Sequence, residues 1–186
     1  KGVTETADST DLRTHTSGVL ISPYQKPAYH HKTILTPMQE GIPYHATLAK
    51  IPFLSIAEKD PRFIKAGTMH KPLTLNTAKN GLFRLGVSLC FEQWYPGHWA
   101  ALARNGADFY AHLAGEGWYG DVGFKQFMAN VSRMRCIENR KQAARSANVG
   151  LTLFIDQLGR STAQSEVKTL ETVKNKLYRS EINTFY

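Results

Sequence analysis

Cys90 is the residue whose type and setting most directly offer chemistry. It closes an apolar run, Phe83-Arg-Leu-Gly-Val-Ser-Leu-Cys90, and stands just before a helix. A side chain there sits at the carboxyl edge of a sheet, with backbone N–H groups of the following turn aimed at it. That arrangement favours a thiolate and can hold an oxyanion. Taken alone, a cysteine in such a strand is more often a small buried hydrophobe. Glu92 follows two residues on and, alone, reads as a helix-start acid favoured by the macrodipole. Lys32 follows Tyr29-His30-His31 in a strand-like stretch. A lysine aimed inward from a strand is costly unless paired, so it is either exposed, which is the default, or functional. Glu40 lies in a proline-bounded loop just beyond and by default is a solvated acid.

The seven histidines show no zinc spacing. His30 and His31 are adjacent, and adjacent strand residues point to opposite faces, so they make poor co-ligands. No metal site and no cofactor are expected. There is no Walker loop, no dinucleotide fingerprint and no serine in a nucleophile-elbow setting.

The elements that must position these groups follow an α/β grammar. Residues 1–15 read as a polar loop. Ser17–Ser22 reads as a strand, Pro23–Pro27 as a turn, and 28–35 as the returning strand of a hairpin. Thr36–Pro43 is a structured loop, and 44–80 is mixed, with a short apolar piece at 51–54. After the strand at 83–90 come a helix over 95–105 closed by Gly106, a strand at 108–114, a glycine-rich loop at 115–123 and an amphipathic helix at 124–141. Strands are expected at 142–147 and 151–156, and, after a polar stretch, at 172–178. Alternating strands and helices predict a sheet with helices packed on it and no interdomain linker.

The bulk composition is that of a globular domain: 186 residues, 42% hydrophobic and 20% charged. The net charge is +8 and the pI about 9.5. The basic residues are scattered apart from a mild cluster at 168–179, with no arginine-rich tract or aromatic RNA-binding signature, so nucleic acid is not an expected partner. A solvated basic face is the plain reading, and a face lying near anionic headgroups the more specific one. Two cysteines make no disulfide framework, and no stretch is long and apolar enough to span a membrane.

Taken together, the blocks carry a resemblance. Tyr29-His-His-Lys32-Thr-Ile-Leu-Thr-Pro37-Met-Gln-Glu40-Gly-Ile-Pro43 resembles the lysine segment of the carbon–nitrogen hydrolase (nitrilase) superfamily. Val87-Ser-Leu-Cys90-Phe-Glu92 is similar to its nucleophile segment. Gly117-Trp118-Tyr-Gly120-Asp121 resembles a loop most typical of apolipoprotein N-acyltransferases. Arg133–Asn139, Arg145–Gly150, Ile155–Arg160 and Thr184-Phe-Tyr186 continue that pattern. The resemblance runs from Ser17 onward and implies an αββα sandwich, of which 1–186 is expected to be the C-terminal part: a single, incomplete domain. It implies Cys90 as nucleophile, Lys32 and the Phe91 N–H as oxyanion donors, Glu40 as the acid that positions Lys32 and the acceptor, Glu92 as the acid after the nucleophile, and Trp118 as a pocket aromatic.

The chain departs from the pattern at three places. The superfamily's general-base glutamate lies well upstream of its lysine, whereas only 31 residues precede Lys32 here. Glu5, in Thr4-Glu-Thr-Ala7, echoes that motif but sits too near the hairpin and reads as a loop residue. Phe91 replaces the usual tyrosine. Met38-Gln39 alters the loop before Glu40, and Met128 stands where the long helix usually carries a histidine.

The resemblance implies acyl transfer through a Cys90 thioester, from a phospholipid donor to an amine acceptor, on the periplasmic face of a membrane. A soluble, cytoplasmic amidase or nitrilase acting on a small amide is the second reading. A non-catalytic accessory protein of a membrane or plasmid-transfer machine is the third. Oligomeric state is not legible in the sequence.

Overall fold

The structure is a computed structural model that describes residues 14–41, 64–68, 70–78, 81–118, 120–180, 182 and 184. Glu5 and the apolar piece at 51–54 lie outside the described residues. A hairpin opens the chain, β1 (Ser17–Ser22) and β2 (Gln25–His31), paired antiparallel. The return begins three residues earlier than expected. Pro27 lies inside β2, which an edge strand tolerates because no ladder N–H is needed there. The strand also ends sooner, so Lys32 stands just past it rather than in its middle.

A six-stranded sheet follows in chain order: β3 (Leu73–Thr77), β4 (Gly81–Leu89), β5 (Phe109–Ala114), β6 (Ala143–Ala147), β7 (Leu153–Ile155) and β8 (Ser161–Gln164). The pairs β4–β5 and β5–β6 are parallel and the others antiparallel. The parallel steps are bridged by α1 (Pro96–Arg104) and α2 (Val122–Asn139). Two crossovers of one hand in one direction place both helices on the same face of the sheet, where they meet.

Local chemistry sets the helix ends. Pro96 opens α1, where its fixed φ suits a first turn, and Gly106 closes it at φ +87°. Asp121 caps α2 by accepting the Gly123 N–H at 2.9 Å. Arg140, at φ +51°, ends that helix in the left-handed conformation.

Register separates the faces of the sheet. Gly86 pairs with Tyr110 and Ser88 with His112 on the helix side, while Val87 pairs with Ala111 and Leu89 with Leu113 on the other. The core lies on the helix side, where Trp99 meets Tyr110 edge-on with ring centroids 4.6 Å apart and Leu102, Ala129, Cys136, Leu153 and Ile155 are buried. The hairpin crosses the opposite face: a methyl on Gly18 would stand 3.1 Å from Val87 Cγ1 and 3.4 Å from Leu89 Cδ2.

Two expectations are corrected. The polar stretch after Gly159 contains β8, and residues 172–178 form no strand. That tail is held by side chains instead of a ladder. The Tyr178 N–H donates to Gln142 Oε1 at 2.9 Å, Lys141 Nζ to the Ser180 carbonyl at 2.6 Å, and Arg179 pairs with Asp108 at 2.9 Å. β3 was hidden in the mixed segment because its burial alternates only weakly.

Candidate active site

The nucleophile candidate sits on a strained turn. β4 ends at Leu89, and Cys90 is the first residue of a 3-10 helix running to Trp94. Its φ of +47° is a conformation that non-glycine residues adopt at a cost, and such outliers gather at functional sites. The turn leaves Cys90 half-buried, with Sγ 4.0 Å from the Gly115 carbonyl at the end of β5. Phe91 follows it, and the first N–H groups of a helical turn are those without internal partners. The Phe91 ring meets Tyr95 edge-on at 5.5 Å. Cys136, by contrast, is fully buried in the core, and burial pushes its thiol up, away from thiolate character.

Lys32 is buried, 1% exposed, and paired. Its ammonium contacts the Glu40 carboxylate and lies 3.4 Å from Thr36 Oγ1. The loop between them is a tight turn. Met38 takes φ +63°, the Glu40 N–H donates to the Thr36 carbonyl at 2.9 Å, and the Thr36 N–H donates back to Glu40 Oε2 at 2.7 Å. The turn from Lys32 to Glu40 thus brings a partly exposed acid onto a buried lysine, giving the ammonium the partner it requires.

Glu92 joins these two parts. It is fully buried, and its carboxylate accepts four hydrogen bonds. Oε1 takes the Thr33 N–H at 2.6 Å, the Thr33 hydroxyl at 2.8 Å and the Ile34 N–H at 3.2 Å. Oε2 takes the Leu89 N–H at 2.7 Å. One side chain therefore ties the residue after Lys32 to the residue before Cys90. Burial alone would raise this carboxyl, but the His30 and His98 rings and the Leu89 N–H outweigh it and bring it down to about 2. The helix-start reading of Glu92 is replaced by that of a buried strap.

Histidines surround the strap. His30 Nε2 and His98 Nε2 each stand 3.5 Å from Glu92 Oε2. Burial lowers His98 to about 4 against the pull of Glu92. The sequence weighed only the adjacent pair His30-His31, and the fold instead brings His30 to His98, far apart in the chain. His31 turns away and bonds Ser17 Oγ at 2.6 Å.

Glu116 and Arg145, a fully buried ion pair close to Cys90, were not singled out from the sequence. Glu116 follows Gly115, and its N–H donates to Asn148 Oδ1 at 2.8 Å, while Arg145 also donates to the Leu151 carbonyl. Burial raises Glu116 against the pull of Arg145, and lowers Arg145 against that of Glu116. Gly150 packs so closely on this carboxylate that a Cβ there would overlap it. An arginine inside the apolar strand Ala143–Ala147 was the available signal, because such a charge needs a buried partner. Trp118 stands 80% exposed on the loop before α2. Met128 is buried and lies 3.4 Å from Gln93 Nε2, the donor in that contact.

The site's chemistry is that of a thiol on a turn with nearby N–H groups and a buried lysine paired with a partly exposed carboxylate. The carbon–nitrogen hydrolase profile matches residues 2–185. An apolipoprotein N-acyltransferase of Chlorobaculum tepidum is 29% identical over 166 residues, 89% of this chain and 31% of that protein. Another, of Bradyrhizobium diazoefficiens, is 31% identical over 137 residues, 73% of this chain and 24% of that one. The chain thus spans a third or less of the length of these relatives. Among solved structures, a carbon–nitrogen hydrolase of Helicobacter pylori superposes with a TM-score of 0.62 at 17% identity, over 90% of this chain and 56% of that one. A butyramide-bound amidase variant of Nesterenkonia sp. AN1 does so at 0.60 and 12%, over 85% and 54%. The fold is that of the nitrilase superfamily, and with a profile match across nearly its whole length the chain belongs to the carbon–nitrogen hydrolase family.

Proposed function

We propose that this chain carries the nucleophile of an acyltransferase that moves a fatty acyl group from a phospholipid, through a Cys90 thioester, to an amine. The observation that carries the reading is the positive-φ cysteine strapped by Glu92 to the segment bearing the buried Lys32 and its partner Glu40. The Cys90 thiolate attacks the ester carbonyl carbon. The oxyanion that develops is met by the Lys32 ammonium and the Phe91 N–H, where fixed dipoles and charge lower the barrier. The carbon–oxygen bond then breaks, and the alcohol of the lysophospholipid leaves with the proton taken from the thiol. That proton is carried by the carboxylate base that the family resemblance puts upstream of Lys32. In the second half the amine attacks the thioester carbon, loses its proton, and the sulfur leaves as the thiol. Glu40 orients Lys32 and the incoming amine.

The acyltransferase reading is favoured over small-amide hydrolysis because the relatives similar in sequence are apolipoprotein N-acyltransferases, while the amidases share the fold at far lower identity. The +8 charge suits an anionic lipid surface, and the reading puts the protein at the periplasmic face of a membrane. No described helix is itself long and apolar enough to cross one.

The test is intact-mass spectrometry of the protein after incubation with phospholipid vesicles. A fatty-acyl increment, removed by hydroxylamine and absent from Cys90→Ala and Lys32→Met, is the expected result. Turnover of small amides with no adduct from phospholipid would replace this reading by amide hydrolysis. Normal biological function of Cys90→Ala would replace it by a non-catalytic role.

A further inference from the structure

A second cluster sits behind the nucleophile turn, and its geometry is unlike that of an ordinary buried polar network. His30 Nε2, Glu92 Oε2 and His98 Nε2 all lie within 4.8 Å of one another. The three residues are 3%, 0% and 2% exposed. Among the described residues neither Nε2 has a hydrogen-bond partner, although each faces the same carboxylate oxygen at 3.5 Å.

The surrounding bonds determine what those nitrogens present. The Thr33 hydroxyl gives its one proton to Glu92 Oε1 at 2.8 Å. Toward His98 Nδ1, 3.4 Å away, it can therefore offer only lone pairs. His70 Nδ1 stands 2.8 Å from the same His98 nitrogen. In the tautomer that donates from His98 Nδ1 toward these two neighbours, its Nε2 carries a lone pair pointed at a carboxylate oxygen. In that tautomer two lone pairs face each other at 3.5 Å, an arrangement that a cation between them relieves. Glu92 Oε2 accepts the Leu89 N–H, which leaves it one further acceptor direction, and both Nε2 atoms stand 3.5 Å from this oxygen.

We infer that His30, Glu92 and His98 form a buried site for a divalent cation of the zinc or cobalt class. Two imidazole nitrogens and one carboxylate oxygen are a donor set that such borderline ions take, whereas magnesium and calcium prefer oxygen alone. His70 has the position of the outer group that accepts the free N–H of a liganding histidine and holds its ring in place. The ligands come from β2, the 3-10 turn and α1. His30 is two residues before Lys32, and Glu92 two residues after Cys90. A bound ion would clamp the lysine segment to the nucleophile turn, as a structural cross-link placed beside the chemistry. The inference does not depend on which acyl group or acceptor the enzyme uses.

The experiment is zinc and cobalt titration of the purified, chelator-treated protein, read by metal analysis, by competition with a chromophoric chelator and by the visible absorption of bound cobalt. Expected are one ion per chain, a cobalt spectrum of low coordination number, and a melting temperature raised by zinc. His30→Gln and His98→Gln, which keep a polar side chain in place, should lose the ion while retaining a cooperative melt. His70→Ala should bind about tenfold more weakly. Cys90→Ala and His31→Ala should bind as the wild type does. A folded wild type that takes up no zinc or cobalt would overturn the inference and leave the cluster as a hydrogen-bonded histidine–carboxylate network. Uptake that survives both glutamine variants, or is lost in Cys90→Ala, would overturn it too, by placing the ion elsewhere.

Discussion

At the scale of single residues, strain and connection are distinct properties of the site and separable by substitution. Cys90 occupies the left-handed region, where glycine carries no penalty. Cys90→Gly should therefore raise stability by about 1 kcal/mol in urea titration, while Cys90→Ala, which keeps a Cβ, should not. An equal response in the two variants would mean that the turn relaxes when the sulfur is removed. Glu92 behaves oppositely. Replacing it by alanine leaves the Thr33, Ile34 and Leu89 N–H groups without their acceptor in a dry interior. A loss of about 3 kcal/mol is expected by the same titration. A change under about 1 kcal/mol would show that water replaces the carboxylate at little cost. The chemical types at Cys90, Lys32 and Glu40 were readable because their spacing is local or tied to a resemblance. The settings of His98 and Glu116 were not, because each involves a group remote in the chain: His98 shares the Glu92 carboxylate with His30, and Glu116 pairs with Arg145.

At the scale of elements, what the chain made legible was periodicity backed by burial. The apolar run of β4 and the amphipathic pattern of α2 were both identified to within two residues or so. The places where reading failed share a cause. The strand expected at 172–178 has the right residue types, but its one described backbone bond to the sheet region goes to the Gln142 side chain. β8 has polar residues and pairs all the same, because β7 presents an open ladder beside it. Propensity loses to an available edge. The approach of Gly150 to Glu116 gives an element-level prediction. Gly150→Ala would push the carboxylate off Arg145 and crowd Ala147, whose Cβ would be 3.1 Å away. It should cost about 1–3 kcal/mol in thermal or urea unfolding. A neutral Gly150→Ala would mean that the pair shifts together without losing its bonds.

At the scale of the whole molecule, buried titratable groups set the pH range of stability. Burial, joined by the Arg145 charge, takes His112 from its ordinary 6.5 down to about 3. In the folded state it stays neutral where the unfolded chain would already be protonated. Its contribution is complete above pH 6.5 and is lost as the pH falls toward 3. Glu92, ionised down to about 2 instead of 4.5, adds a second loss of the same sign below pH 4.5. Urea midpoints should therefore decline steadily on acidification from neutrality, and His112→Gln should flatten the upper part of that decline. His98, lowered to about 4, adds to the loss in the same window, so a midpoint constant between pH 6.5 and 4.5 would show that the fold holds neither histidine neutral.

The six-stranded sheet also has a temporal consequence. Each strand lies beside its immediate predecessor in the chain, from β3 to β8 without a skip. Every pairing closes a loop no longer than one helix and its turns, so the sheet can be laid down in the order of synthesis, each new strand finding its edge already formed. The hairpin is the exception. It is made before the sheet yet packs over Val87 and Leu89 of β4, residues synthesised some seventy positions later. Lys32 therefore meets the Cys90 turn only once β4 has emerged, and the candidate site is assembled late, after the scaffold that carries the sulfur is in place.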